Sequence, residues 1–222
     1  SIERTRRDHG LRVDGAALSN ASAQLRELLP QIATETSLEQ LRDLEGASAT
    51  VYFGVFDQMI LGEKPLFAFS NRNRRPPLDP VNALLSFAYS LLTHDCASAL
   101  ESVGLDAYVG FLHRDRPGRT SLALDLMEEL RPCLADRFVL TLINNRIVSR
   151  DDFEFRENGA VYLTDSGRKA CLSHWQERKK AELKHPYLGE KIPWGLVPYV
   201  QALLMARTLR DDLEGYPPFL WK

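Results

Sequence analysis

The sequence predicts a mainly α-helical fold carrying one small β-hairpin insertion, on three observations. Apolar residues recur at three-and-four spacing through most of the 222 residues, good helix N-caps stand before several of those stripes, and only a short stretch near Phe153 alternates. At 44% hydrophobic and 26% charged residues the composition is that of an ordinary globular chain, which excludes intrinsic disorder, collagen-like repeats and low-complexity tracts. No run of 18 apolar residues occurs, so no membrane span is expected. The first ten residues lack an apolar signal core, and a start at Ser1 reads as a processed chain or a fragment of a longer one.

Residues 1–19 read as a linker or interdomain segment. From Asn20 to about Glu35, Leu25, Leu28, Leu29 and Ile32 form a helical stripe that Pro30 should kink or divide. Ser37 with Gln40 makes a capping box for a helix reaching about Ile60, before Gly62. The run from Leu66 to Pro77 has neither helical nor strand periodicity and reads as a loop. Asp79 caps a third helix with Pro80 at its first position, ending near Val103 before Gly104. A fourth helix is expected from Ser121 to about Arg146, kinked at Pro132. Within 150–164, Phe153, Phe155, Val161 and Leu163 alternate around Glu157-Asn158-Gly159, a β-hairpin pattern. Thr164 caps a helix to about Lys184, and Gly195 or Leu196 opens the last, to about Leu213. The tail 215–222, with Pro217 and Pro218, cannot be helical; it either packs on its own core or docks a partner. No repeat or long linker is visible, so one domain over 1–222 is expected.

Net charge is −2, which mildly opposes general polyanion binding, but the basic residues are grouped. Arg72, Arg74 and Arg75 lie in one loop without an acid, and Arg114, Arg116 and Arg119 surround Asp115 in another. Such loops are either ordinary solvated turns or phosphate contacts along a shaped groove. Cys96, Cys133 and Cys171 are distant from one another and form no CxxC pair, which reads as reduced thiols in a cytosolic protein.

Three features could carry chemistry. Glu45 interrupts the apolar stripe of Leu38, Leu41, Tyr52, Val55 and Met59; it either reaches solvent or an arginine from the helix edge, or meets a cation. Asp125, Glu128 and Glu129 lie at i, i+3 and i+4, an oxygen-rich face suited to Mg²⁺ or Mn²⁺, or acids attracted to a helix N-terminus. His113 ends the apolar run Tyr108-Val109-Gly110-Phe111-Leu112 and is either a structural hydrogen-bonding residue or a metal ligand and proton carrier. Phosphate-loop, dinucleotide, HExxH, GxSxG and zinc-cluster motifs are all missing. Glu, His and Asp beside basic loops suit metal-assisted phosphodiester chemistry.

Those residues resemble a known family. Leu44-Glu45-Gly46-Ala47 with Val51-Tyr52-Phe53, Arg74-Arg75-Pro76-Pro77 with Asp79-Pro80-Val81-Asn82 and Tyr89, Gly110-Phe111-Leu112-His113, and Ser121-Leu122-Ala123-Leu124-Asp125-Leu126-Met127-Glu128-Glu129-Leu130-Arg131-Pro132 are similar, in order, to the catalytic domain of the CRISPR adaptation integrase, the "Cas one" family. The ending Pro217-Pro218-Phe219-Leu220-Trp221 resembles the subtype I-C branch. The resemblance implies a homodimeric, prokaryotic, cytoplasmic enzyme of antiviral defence with an N-terminal β-sandwich, expected to be absent from this chain, and a helical catalytic domain. It implies catalysis and Mg²⁺ or Mn²⁺ ligation by Glu45, His113 and Asp125, with Glu128 or Glu129 as a supporting acid. Arg72, Arg74, Arg75, Asn82 and Tyr89 would lie near double-stranded DNA, joined by Arg114, Arg116 and Arg119 as a second basic loop. It further implies a small dimeric "Cas two" scaffold and an iron–sulphur "Cas four" nuclease, associated or fused, as partners. The expected reaction is attack by a protospacer 3′-hydroxyl on a phosphodiester at a repeat boundary. Two other readings stand beside it: a DNA-binding regulator whose hairpin is a winged-helix wing, and a helical domain that docks a partner through its proline–aromatic tail.

Overall fold

Side-chain caps open some of the helices, and proline interrupts the helical pattern at Pro132 but not at Pro30. The structure, a computed structural model, describes residues 1–221. The helices are α1 (Ile2–His9), α2 (Gly15–Thr34), α3 (Leu38–Gly54), α4 (Pro80–Ser102), α5 (Ser121–Leu130), α6 (Asp136–Asn144), α7 (Asp165–Lys180) and α8 (Val197–Leu209). The strands are β1 (Phe153–Phe155), β2 (Val161–Leu163), β3 (Glu182–Lys184) and β4 (Lys191–Pro193), three residues each and paired as two antiparallel hairpins. The mainly α expectation holds, with a second hairpin added. The described chain forms two compact units: residues 1–84 with 140–164, and residues 85–139 with 165–221.

In the first unit, the segment expected to be a linker is helical. Glu3 on α1 accepts hydrogen bonds from Ser22 Oγ at 2.5 Å and Arg26 Nη2 at 3.3 Å on α2, and Leu18 is buried. Asp14 sets the start of α2 by accepting from the N–H groups of Ala16 and Ala17 at 3.0 and 2.9 Å. Pro30 lies inside α2 and does not divide it. Ser37 caps α3 through the Gln40 N–H, while the Ser37 N–H is taken by Glu35 at 2.7 Å, so the glutamate supplies the return half expected from Gln40. α3 stops at Gly54 and a 3₁₀ turn, Phe56–Met59, completes the expected span. Phe56 and Phe69 meet at 5.1 Å between ring centres, and Phe67 meets Phe153 of β1 at 5.9 Å. The β1–β2 register pairs Phe153 with Leu163, and Gly159 at the turn takes φ +79°, a conformation that favours glycine.

In the second unit, the single helix expected from Ser121 to Arg146 is interrupted by a π-helical turn, Arg131–Ala135, between α5 and α6. Pro132 cannot donate, and a one-residue bulge is the least disruptive way to pass it. Phe138 packs edge-on against Trp175 at 5.0 Å, and Trp175 Nε1 donates to Asp95 at 3.0 Å. α7 ends at Lys180, short of the expected Lys184, because the chain turns into β3 there; three-residue strands carry too little alternation to be legible. The C-terminal tail packs on its own unit. Phe219 is 3% exposed, and Trp221 meets Trp194 at 5.1 Å. The cysteines are free thiols; burial pushes the Cys133 thiol up to about 12. Among the described residues no helix is long and apolar enough to cross a membrane.

Candidate active site

The basic loop of the first unit is organised from within by Asn82, on the first turn of α4. The Asp79 carboxylate caps that turn, accepting from the Asn82 N–H at 2.7 Å. Asn82 Oδ1 then accepts from the Asn73 N–H at 3.0 Å and Arg72 Nη1 at 2.7 Å, and Nδ2 donates to the Asn71 carbonyl at 2.8 Å and to Asp79 at 2.6 Å. Asn82, which the resemblance places near DNA, is 0% exposed and shapes the loop from within; Arg72 is half-buried in the same network, and of the loop's three arginines Arg74 and Arg75 are exposed. Replacing Asn82 by alanine leaves several buried donors without acceptors and is expected to lower stability by about 2 kcal/mol in urea titration, with proteolysis appearing first in the loop. Glu45 lies half-buried on α3, and among the described residues no side chain or N–H pairs with it.

In the second unit the loop between α4 and α5 closes on one carboxylate. Asp125 Oδ2 accepts from the N–H groups of Phe111 at 2.5 Å and Leu112 at 3.1 Å; Oδ1 accepts from the His113 N–H at 2.9 Å and meets His113 Nδ1 at 2.6 Å. Gly110 is required for this approach, because a Cβ there would stand 2.7 Å from Ser121 Cβ and 2.9 Å from Asp125 Oδ2. Burial alone would raise the Asp125 carboxyl, but the bonds from the His113 ring and the three N–H groups outweigh it and hold it below the ordinary carboxylate value. An ionised Asp125 makes Nδ1 the protonated nitrogen and leaves the Nε2 lone pair outward. That nitrogen stands 3.9 Å from Glu128 Oε1.

The three acids of α5 therefore separate. Asp125 organises the histidine loop, Glu128 stands beside the histidine and pairs with Arg131, and Glu129 anchors the tail. Glu129 accepts from the Tyr216 hydroxyl, from the Phe219 N–H at 2.6 Å and from Gln201 Nε2 at 3.2 Å, which leaves it no part as a supporting acid. Gln201 and Arg131 went unnoticed in the sequence. The signal for Gln201 was an amide inside an apolar helix, and it is 0% exposed. Tyr89, expected near DNA, donates its hydroxyl to Asp136 at 2.6 Å and lies under the Arg131 guanidinium, 5.0 Å from the ring centre. Arg114 and Arg116 are exposed and Arg119 half-buried, beside His113 on the same loop.

A divalent ion is what the resemblance implies. Among the described residues no group of three or more His, Cys, Asp or Glu is arranged to hold one. The donors that fit are His113 Nε2 and the Glu128 carboxylate, one imidazole and one hard oxygen ligand, an amount of protein ligation Mg²⁺ and Mn²⁺ accept alongside water. Both Asp125 oxygens are already engaged by N–H donors, so they are poorly placed to serve.

The family model for CRISPR associated protein Cas1 matches residues 1–177. A CRISPR-associated endonuclease Cas1 of Rhodospirillum rubrum is 57% identical over 99% of this chain. The chain belongs to the Cas1 family. It spans 65% of the length of that relative. A Cas4 exonuclease/Cas1 endonuclease fusion of Geobacter sulfurreducens is 47% identical over 83% of the Cas1 chain and 33% of the fusion. Among solved structures, a casposase bound to integration product superposes with a TM-score of 0.77 at 29% identity, covering 85% of this chain and 52% of the casposase. A chain from a partial Cas6-RT-Cas1–Cas2 complex gives 0.79 at 26% identity, covering 100% of this chain and 65% of that one.

Proposed function

We propose that this Cas1 chain is the helical catalytic part of an integrase that inserts protospacer DNA into a CRISPR array. The observation that carries the reading is His113, its Nδ1 held by Asp125, its Nε2 turned to Glu128, and its loop lined by arginines. Likeness to a casposase bound to integration product supports strand transfer as the reaction class.

His113 and Glu128 would hold Mg²⁺ or Mn²⁺, and the resemblance adds Glu45 to the ligand set. When bound, the ion supplies Lewis acidity toward the attacking and leaving oxygens. Asp125 fixes the imidazole tautomer and the loop, acting as a positioning residue and not as the ligand expected from the motif. Arg114, Arg116 and Arg119, with Arg74 and Arg75, contact backbone phosphates and lower the cost of bringing two DNA strands together. In the joining step the 3′-hydroxyl oxygen bonds to phosphorus and releases its proton, while the P–O3′ bond of the repeat strand breaks and that oxygen takes up a proton. One phosphodiester replaces another, so no nucleotide cofactor is needed.

The family resemblance implies a homodimer acting on double-stranded DNA, and the likenesses support a Cas2 scaffold, as named in the related complex, and a Cas4 nuclease, as joined in the related fusion. The test is an integration assay with the intact protein, a Cas2 partner, a short duplex and a supercoiled repeat plasmid. Joining is expected with Mn²⁺ or Mg²⁺ and none with excess chelator; equal joining in chelator overturns the metal-dependent reading.

A further inference from the structure

Arg131 carries a positive charge directly against the carboxylate that faces His113. It opens the π-helical turn after α5, and its Nη2 donates to Glu128 Oε1, the same oxygen that stands 3.9 Å from His113 Nε2. The guanidinium is held loosely for a residue so little exposed. Its side chain is 21% exposed, its Nε is buried without an acceptor, and among the described residues Glu128 is its one hydrogen-bond partner. Its remaining contact is the face of Tyr89, whose hydroxyl is tied to Asp136. A structural arginine uses several of its five donors at once. This one spends one on an acid and rests its flat face on a ring, an arrangement that permits the guanidinium to leave the acid while keeping its cation–π seat.

We propose that Arg131 is a positioning residue for the metal site, the resident counter-cation of Glu128, exchanged for the divalent ion. Without the ion it balances the Glu128 carboxylate and holds it beside His113. When the ion claims Glu128 Oε1, Arg131 gives up that bond and stays over Tyr89. Two cations then compete for one oxygen, so the arginine lowers metal affinity while keeping the ligand in place. The inference rests on the metal-site reading above, and ordinary helix spacing places the pair together: Arg131 lies three residues after Glu128, on the same helical face.

The experiment is calorimetric titration of the full chain with MnCl₂, with far-UV circular dichroism as the folding control. Arg131→Gln is expected to bind Mn²⁺ about 3- to 10-fold more tightly than wild type, because the competing charge is gone. Arg131→Lys, with a charge but no fork, should fall between them. Glu128→Gln should bind weakly, and adding Arg131→Gln to it should change affinity less than about 2-fold, since the contested carboxylate is absent. A folded Arg131→Gln that binds no more tightly than wild type, while Glu128→Gln still weakens binding, overturns the exchange alone. If Arg131→Gln does not fold, an Arg131→Lys protein no tighter than wild type overturns it. Absence of Mn²⁺ binding in both wild type and Arg131→Gln overturns the metal-site reading, and this inference with it.

Discussion

Replacing His113 by alanine is expected to lower strand joining by about 10³-fold or more while the protein melts close to wild type. The imidazole Nε2 stands 3.9 Å from Glu128 Oε1, and loss of a positioned ligand or proton carrier at a phosphoryl-transfer site costs on this order. Stability should change little for a stated reason. With the ring gone, Asp125 still accepts from the N–H groups of Phe111, Leu112 and His113, so the loop stays closed on α5. DNA affinity, which the proposed function assigns to the arginine loops, should also persist, and the measurement pairs an integration assay with a binding titration at one fixed salt concentration. Activity within about tenfold of wild type would show that the histidine serves the loop and not the chemistry.

The outcome at His113 matters because the sequence left it ambiguous. A histidine at the end of an apolar run reads equally as a structural hydrogen-bonding residue and as a ligand, and the structure shows the first of these at one nitrogen. Nδ1 is bound to Asp125, while Nε2, 3.9 Å from Glu128 Oε1, is the nitrogen that the proposed function uses. Spacing could place the acids of α5 on one surface but could not say what lies against each. Asp125, Glu128 and Glu129 share a face of one helix turn, yet the first meets the loop before it, the second meets Arg131 beyond it, and the third meets a tail about ninety residues later in the chain. Only the tertiary partner distinguishes their work, and a pattern of i, i+3 and i+4 contains no information about partners.

Local chemistry was legible where it is local. The Asp79–Pro80 start of α4, the Ser37 cap and the Asn158-Gly159 turn all fall where short-range rules put them, since each depends on residues within four positions. What was not legible depended on distant residues. Asn82, which the resemblance placed near DNA, is engaged in holding Arg72, Asn71 and Asn73, a network that spacing does not reveal. The linker expected over 1–19 is a helix because Glu3 and Leu18 find partners that charge-rich composition does not reveal. The second hairpin, β3 with β4, was read as helix because Glu182–Lys184 continues a helix-favouring run until the pairing with Lys191–Pro193 claims it.

The Asp125 carboxylate is where fold and chemistry are least separable, and its two substitutions are expected to fail differently. Asp125→Ala removes the acceptor for three N–H groups and a ring nitrogen at once, so the loop from Gly110 to His113 should loosen, with a stability loss of about 3 kcal/mol in urea titration and complete loss of joining. Asp125→Asn keeps one oxygen, enough for the Phe111 and Leu112 N–H groups, and although the His113 N–H loses its acceptor it should stay folded with a smaller stability loss than the alanine variant. Its amide nitrogen would then face His113 Nδ1 as a donor, forcing the imidazole into the opposite tautomer with a proton on Nε2. The lone pair that faces Glu128 disappears, and joining should fall by about 10³- to 10⁴-fold although every heavy atom is nearly in place. A Mn²⁺ titration should show the same loss, and the ring ¹⁵N shifts of His113 report the tautomer directly. The pH dependence has a definite sign. Because the folded carboxyl titrates below its ordinary value, its contribution to stability is fully present above about pH 4 and is lost as the pH falls through the folded value. Asp125→Asn should flatten that segment of the stability curve, losing the contribution everywhere above about pH 4 and leaving only the slope through the neutral range unchanged. If the asparagine protein joined strands at wild-type rate with its tautomer reversed, the lone pair on Nε2 would have no part in the reaction, and the functional site would have to be built around the acids and arginines alone.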